Sequence, residues 1–195
     1  MSLVETLTGF MRRAWWRAAL VFAPVILAFV FFGGHATPPS TAITSGALPL
    51  ELVGTRAGAI TVLRAFDAQH STPAAAASIY WDFGFIASYV ALLVLALRVF
   101  SRPGEPDLID RSAFKSAWLA GLADGLENAG MLAMLSAPVQ QPPEWLGLAA
   151  FVATAAALIK WVLVTFAAGH ALWLAWRRLC SWPLLSRALG RSGAG

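Results

Sequence analysis

Seven residues in this chain could do chemistry, and most stand inside apolar stretches. Asp124, Glu127 and Asn128 occur in the run Asp124-Gly-Leu-Glu-Asn128. Spacings of three and four residues place all three on one helical face. Lys160 stands alone in a second apolar run. Asp82 and Tyr89 share a third, seven residues apart and so on one face of a helix. Glu51 precedes them in a more polar segment. Ionisable groups surrounded by hydrocarbon are costly to keep and are candidates for function on that ground alone. Asp124 and Glu127 could act as general acid and general base, with Lys160 stabilising charge. The same residues suit a buried structural network that fixes how helices register. Asp82, one turn from the end of its run, also suits simple solvation there.

The remaining polar residues carry less. There is no His-x-x-x-His pair, no cysteine pair, no glycine-rich phosphate loop and no Gly-x-Ser-x-Gly elbow. Carboxylates alone could hold a hard cation through oxygen, but the neighbouring Lys160 opposes one, so no metal and no cofactor is expected. Cys180 is the sole cysteine; it excludes an internal disulfide, and its neighbours Arg177 and Arg178 suggest a reducing compartment. His35 and His70 are loop residues without companions, and His170 fits an interface. Met131 and Met134 read as packing, and Arg17 reads as a snorkelling side chain.

Positioning these groups falls to an all-α architecture. The chain of 195 residues is 58% hydrophobic and 12% charged, against about 25% charged in soluble domains. Its net charge of +4 does not point to nucleic acid, because the basic residues cluster at the ends of apolar runs. A hydrocarbon core of about 30 Å takes about 20 apolar residues in a helix. Four stretches meet this: 14–34, 79–100, 116–137 and 145–172. The second helix could begin near Pro73, which suits a first turn. The fourth pattern runs on to Trp176, so that helix must tilt or project. The expectation is a single membrane domain over residues 1–195: a polytopic four-helix bundle with an outer segment at 35–78.

Arg12, Arg13 and Arg17 flank the first span. Arg98, Arg102, Arg111 and Lys115 lie between the second and third, and Arg177, Arg178, Arg187 and Arg191 follow the fourth. The positive-inside rule then puts both termini in the cytoplasm, with the chain in a bacterial cytoplasmic membrane. Trp15, Trp16, Trp118, Trp173 and Trp176 fall near the inner interface, Trp81 and Trp145 near the outer one. The first span also resembles a signal peptide cleaved after Ala36; retention as a span is the expectation.

Within the outer segment, a Pro-, Ser- and Gly-rich loop runs through Gly46. Ile60, Leu63 and Phe66 then recur at helical spacing, predicting a short amphipathic helix from about Thr55 to Asp67. It would lie on the outer leaflet or form a lid over the bundle. Small residues predict two packing seams. One is Ala117, Gly121, Gly125 and Ala129. The other is Ala149, Ala153, Ala156, Lys160, Ala167 and Ala171. Depth matches as well. At 1.5 Å per residue Asp124 and Glu127 lie ~10 and ~15 Å above the inner boundary, and Lys160 lies ~8 Å above it. Lys160 should therefore pair with Asp124, Glu127 or both.

Three stretches together resemble a known group. They are Leu50-Glu-Leu-Val-Gly-Thr55 with Ala59-Ile-Thr-Val-Leu63, then Asp82-Phe-Gly-Phe85 with Tyr89, then Ala123-Asp-Gly-Leu-Glu-Asn128. Their order and spacing, over roughly residues 48 to 136, are similar to uncharacterised bacterial four-span integral membrane proteins with D-x-x-F-x-x-x-Y in the second span and D-x-x-E-N in the third. The resemblance implies that Glu51, Asp82, Tyr89, Asp124, Glu127 and Asn128 belong to a shared core. It implies no activity. Gly84 and Gly125 replace the larger apolar residues that pattern would carry.

The leading functional expectation is a non-enzymatic module that binds a lipid or amphiphile, or packs as an accessory subunit of a membrane complex. Its partners would be membrane lipids and other membrane-protein subunits, with no nucleic acid. One alternative is an intramembrane enzyme acting on a lipid or isoprenoid. Another is a proton or ion pathway along Asp82, Glu127 and Lys160 in an oligomer.

Overall fold

The computed structural model describes residues 48–101 and 107–180. The expected first span at 14–34, the loop through Gly46, the Ala36 cleavage point, the side chain of Cys180 and the tail with Arg187 and Arg191 lie outside the described residues. Among the described residues there are five helices and no strand. They are α1 (Leu48–Glu51), α2 (Arg56–Ala68), α3 (Thr72–Phe100), α4 (Leu108–Ser136) and α5 (Leu146–Cys180).

Local chemistry sets the boundaries. Thr55 caps α2: its hydroxyl accepts from the Gly58 N–H at 3.1 Å, satisfying one of the free donors of a first turn. Pro73 occupies the first turn of α3, where its missing N–H costs nothing. Asp107 caps α4, accepting from the Asp110 N–H at 2.8 Å. This cap starts α4 well before the expected Ser116 and places Arg111 and Lys115 on a helix rather than in a loop. α4 ends ahead of Pro138, as its sequence predicts, and α5 runs past Trp176 through Cys180.

Two of these helices, α3 and the Leu146–Arg178 part of α5, are long and apolar enough to cross a membrane. α4 has the same 29 residues as α3, but Asp124, Glu127 and Asn128 hold its hydropathy down. α4 packs most extensively on α5 and next on α3, and α3 also touches α5. Trp81, Trp118, Trp145, Trp173 and Trp176 all stand exposed on the outside of this bundle.

The core is layered. At one end Leu50, Leu63, Ile79, Met131, Met134, Leu146 and Ala153 form one apolar cluster. At the other, Leu93, Leu97, Ala113, Ala117, Ala167, Ala171 and Leu174 form a second. On α3, α4 and α5 alike the chemistry-bearing residues fall between these two clusters in sequence. α2 closes the first end as a lid, burying Ala59, Leu63 and Phe66 while Ile60 packs partly buried beside them. Arg56 fastens it: its Nη2 donates to the Pro142 carbonyl at 2.6 Å and its Nε to the Pro143 carbonyl at 3.4 Å.

The α5 seam holds: Ala153, Ala156, Ala167 and Ala171 are buried. The α4 seam holds only at its start. Ala117 is fully buried, a Cβ on Gly121 would fall 2.6 Å from Val90 Cγ2, Gly125 has open space, and Ala129 is exposed. A stride of four residues overshoots a 3.6-residue turn by about 40°, so three strides rotate off the contact face. The close approach of α4 to α5 occurs instead at Gly130, where a Cβ would meet Ala153 Cβ at 3.1 Å and the Ala149 carbonyl at 3.2 Å.

Candidate functional site

Between the two apolar layers, α3, α4 and α5 bring their polar residues to one place. Lys160 reaches from the small-residue face of α5 to α4. Its Nζ donates to Asp124 Oδ1 at 3.0 Å and lies 2.7 Å from Glu127 Oε2. The second contact is an ion pair whose angles fall short of a hydrogen bond. One turn of α4 thus presents both carboxylates to one ammonium, as the three-residue spacing and matched depth predict. Asn128, the next residue, points toward α3, where its Nδ2 donates to Asp82 Oδ2 at 2.8 Å. Tyr89 lies within electrostatic reach of Asp124, Asp82 and Glu127, and its ring leans on Phe85 at a centroid separation of 5.6 Å.

Glu51 joins from α1. The Thr154 hydroxyl of α5 donates to the Glu51 carbonyl at 2.7 Å and accepts from the Gly54 N–H at 2.9 Å. Gly54 sits at φ +58°, a left-handed conformation suited to glycine, which turns its N–H onto that hydroxyl. So held, the Glu51 carboxyl comes within electrostatic reach of Lys160, Asp82, Asp124 and Glu127. Burial pushes its pKa up, Lys160 pulls it down less strongly, Asp82 and Asp124 add to the rise, and Glu127 opposes it slightly.

All seven residues singled out in the sequence therefore meet in one cluster. It is deeply buried: Asp124 is 3% exposed, Glu127 1% and Asn128 0%. It is also incomplete. Among the described residues, Glu127 Oε1, Asn128 Oδ1 and the Tyr89 hydroxyl are buried without a hydrogen-bond partner, a costly condition for polar atoms away from water. Among the described residues four carboxyls, those of Glu51, Asp82, Asp124 and Glu127, face one ammonium. Among the described residues, no group of three or more His, Cys, Asp or Glu is arranged to hold a metal ion.

No family model, curated protein or solved structure matches this chain.

Two features escaped the sequence. Thr154 is a single hydroxyl in an alanine-rich run, and nothing in its surroundings marks it as the anchor of a distant loop. The second is a pair at the opposite end of the bundle. His170 Nε2 donates to Asp110 Oδ1 at 2.7 Å, with both side chains buried. The imidazole stacks on Phe166 and Trp173, and Arg177 lies 4.4 Å from the Trp173 ring centroid. The spacing from Asp110 to His170 is a tertiary contact with no local signature.

Proposed function

We propose that this protein is a membrane-embedded binding module that holds the polar head of a lipid or other amphiphile in the layer around Glu127. The observation that carries this reading is the acid-rich cluster whose buried Glu127 and Asn128 oxygens lack partners between two apolar layers. A purely structural network tends to satisfy its members, since each orphaned buried group costs about 1–3 kcal/mol. A ligand head that completes these bonds while its tail lies along apolar helices fits both features.

In this reading residues 14–34 supply a further span, α4 crosses with its polar face turned inward, and the four spans form one bundle in a bacterial cytoplasmic membrane with both termini in the cytoplasm. It keeps the chain with the four-span proteins it resembles. Native mass spectrometry of the full chain released from a mild maltoside detergent tests the binding. The expected result is a retained adduct in the lipid mass range, lost in Glu127→Gln. Protein recovered only as the bare chain, under conditions that keep it folded, would sink the proposal. A cytoplasmic reporter fused after Gly195 should be active; activity of a periplasmic reporter there would overturn the orientation.

A further inference from the structure

We infer that the head group recognised by the cluster is a primary ammonium carried on an apolar chain. The inference rests on the binding reading above and names its ligand class. Two observations lead to it separately. The first is the chemistry of the orphaned atoms. Glu127 Oε1 and Asn128 Oδ1 are acceptors, and the amide nitrogen of Asn128 is already given to Asp82. The Tyr89 hydroxyl can accept as well. What completes them is a group with several N–H or O–H donors.

The second is charge. Among the described residues four carboxyls stand against the single ammonium of Lys160, which is already ion-paired with Asp124 and Glu127. Arg56, close to Glu51 in the chain, is turned to the carbonyls of Pro142 and Pro143 at the bundle end. A ligand that brings positive charge into this layer relieves the imbalance among buried carboxylates, whose attraction for a cation is strong in a poorly polarisable surrounding. A hydroxyl head offers donors without charge. A quaternary ammonium offers charge without donors. A primary ammonium offers both, with three N–H groups for the orphaned acceptors.

The apolar chain follows from the surroundings. The cluster is bounded on one side by the layer containing Ile79 and Met131, and on the other by that containing Leu93 and Ala117. Beside Asp124, among the described residues, a Cβ on Gly125 would meet nothing within 4 Å. A head group can approach there while its tail stays along the outside of the helices.

Thermal unfolding of the full chain in maltoside micelles tests this with three probes of equal chain length: dodecylamine, dodecanol and dodecyltrimethylammonium. Dodecylamine should raise the midpoint at a concentration about tenfold lower than either control, a difference of about 1.4 kcal/mol in binding. Glu127→Gln should abolish that preference. Tyr89→Phe, which removes a hydroxyl beside Asp124 and keeps the ring against Phe85, should weaken the amine response about threefold in a chain that still unfolds cooperatively. If the alcohol or the quaternary amine stabilises as well as dodecylamine, ammonium recognition falls and amphiphile binding stands. If none of the three acts on a folded chain that also carries no lipid, both fall.

Discussion

The two polar sites in this bundle are built on opposite principles. Near one end, His170 and Asp110 form a one-to-one pair, enclosed by Phe166 and Trp173, and each group meets its need in the other. In the middle layer, Asp82, Asp124, Glu127, Asn128, Tyr89 and Lys160 form a set in which acids outnumber the base and several oxygens stay orphaned. A closed pair needs nothing more and explains itself as a pin between α4 and α5. An open set is poorly explained by stability alone, because a buried charge network contributes little over a well-packed apolar core. The contrast separates a fastening from a candidate site more sharply than burial does, since both are buried.

Breaking the open set should have the largest effect. Lys160→Met leaves Asp124 and Glu127 facing each other without their cation, and loss of one member of a buried ion pair costs about 3–5 kcal/mol. Denaturant or thermal unfolding in detergent should show this loss, and Lys160→Met combined with Glu127→Gln or Asp124→Asn should recover part of it. Strictly additive losses in both double mutants would mean that the three side chains are not coupled. The closed pair should respond less. Asp110→Ala orphans one buried imidazole N–H and should cost about 1–3 kcal/mol. Replacing both partners, Asp110→Leu with His170→Phe, should return close to the parent, because no orphan remains. That double mutant should also keep the response to dodecylamine, whereas every variant that removes Glu127 should lose it. A lost amine response in the Asp110→Leu, His170→Phe chain would join the two regions into one system and end the distinction between them.

What could be read in advance followed the range of the interaction. Thr55 before an apolar 3–4 pattern is a local signal, and α2 begins where it says. The meeting of Lys160 with Asp124 and Glu127 is long-range, yet legible, because a short turn makes α4 and α5 antiparallel and helix rise converts sequence position into depth. The start of α4 was hidden for a local reason: Arg111 and Lys115 look like a cytoplasmic loop by charge, while the Asp107 cap that makes them helical is one residue among several acids. The Gly125 and Ala129 part of the α4 seam failed through accumulated rotation, an error that grows with each stride. Thr154 and Asp110 were out of reach, because a lone hydroxyl or carboxylate has no periodicity, and its partner is chosen by the tertiary fold.

The smallest expected effect concerns Glu51, which ties the lid segment to the open set. Its carboxyl is partly buried, and its pKa is raised, first by that burial and then by Asp82 and Asp124, with Lys160 opposing. A raised carboxyl pKa means that the folded chain holds the proton to higher pH than the unfolded chain does. Between the ordinary glutamate value and the raised one, the unfolded state binds fewer protons, so stability falls as pH rises through that window. One group can contribute a slope of at most about 1.4 kcal/mol per pH unit, and partial exposure keeps Glu51 below that limit. The other charged groups facing it, Asp82, Asp124, Glu127 and Lys160, also titrate, so the measurement is a difference: unfolding midpoints of the parent and of Glu51→Gln from pH 4 to 7. The glutamine amide mimics the protonated carboxyl, and the variant should lose stability less steeply with rising pH than the parent. Equal slopes would show that the carboxyl is not held against the cluster, and would leave Glu51 to the lid alone, with only its backbone carbonyl tied to Thr154.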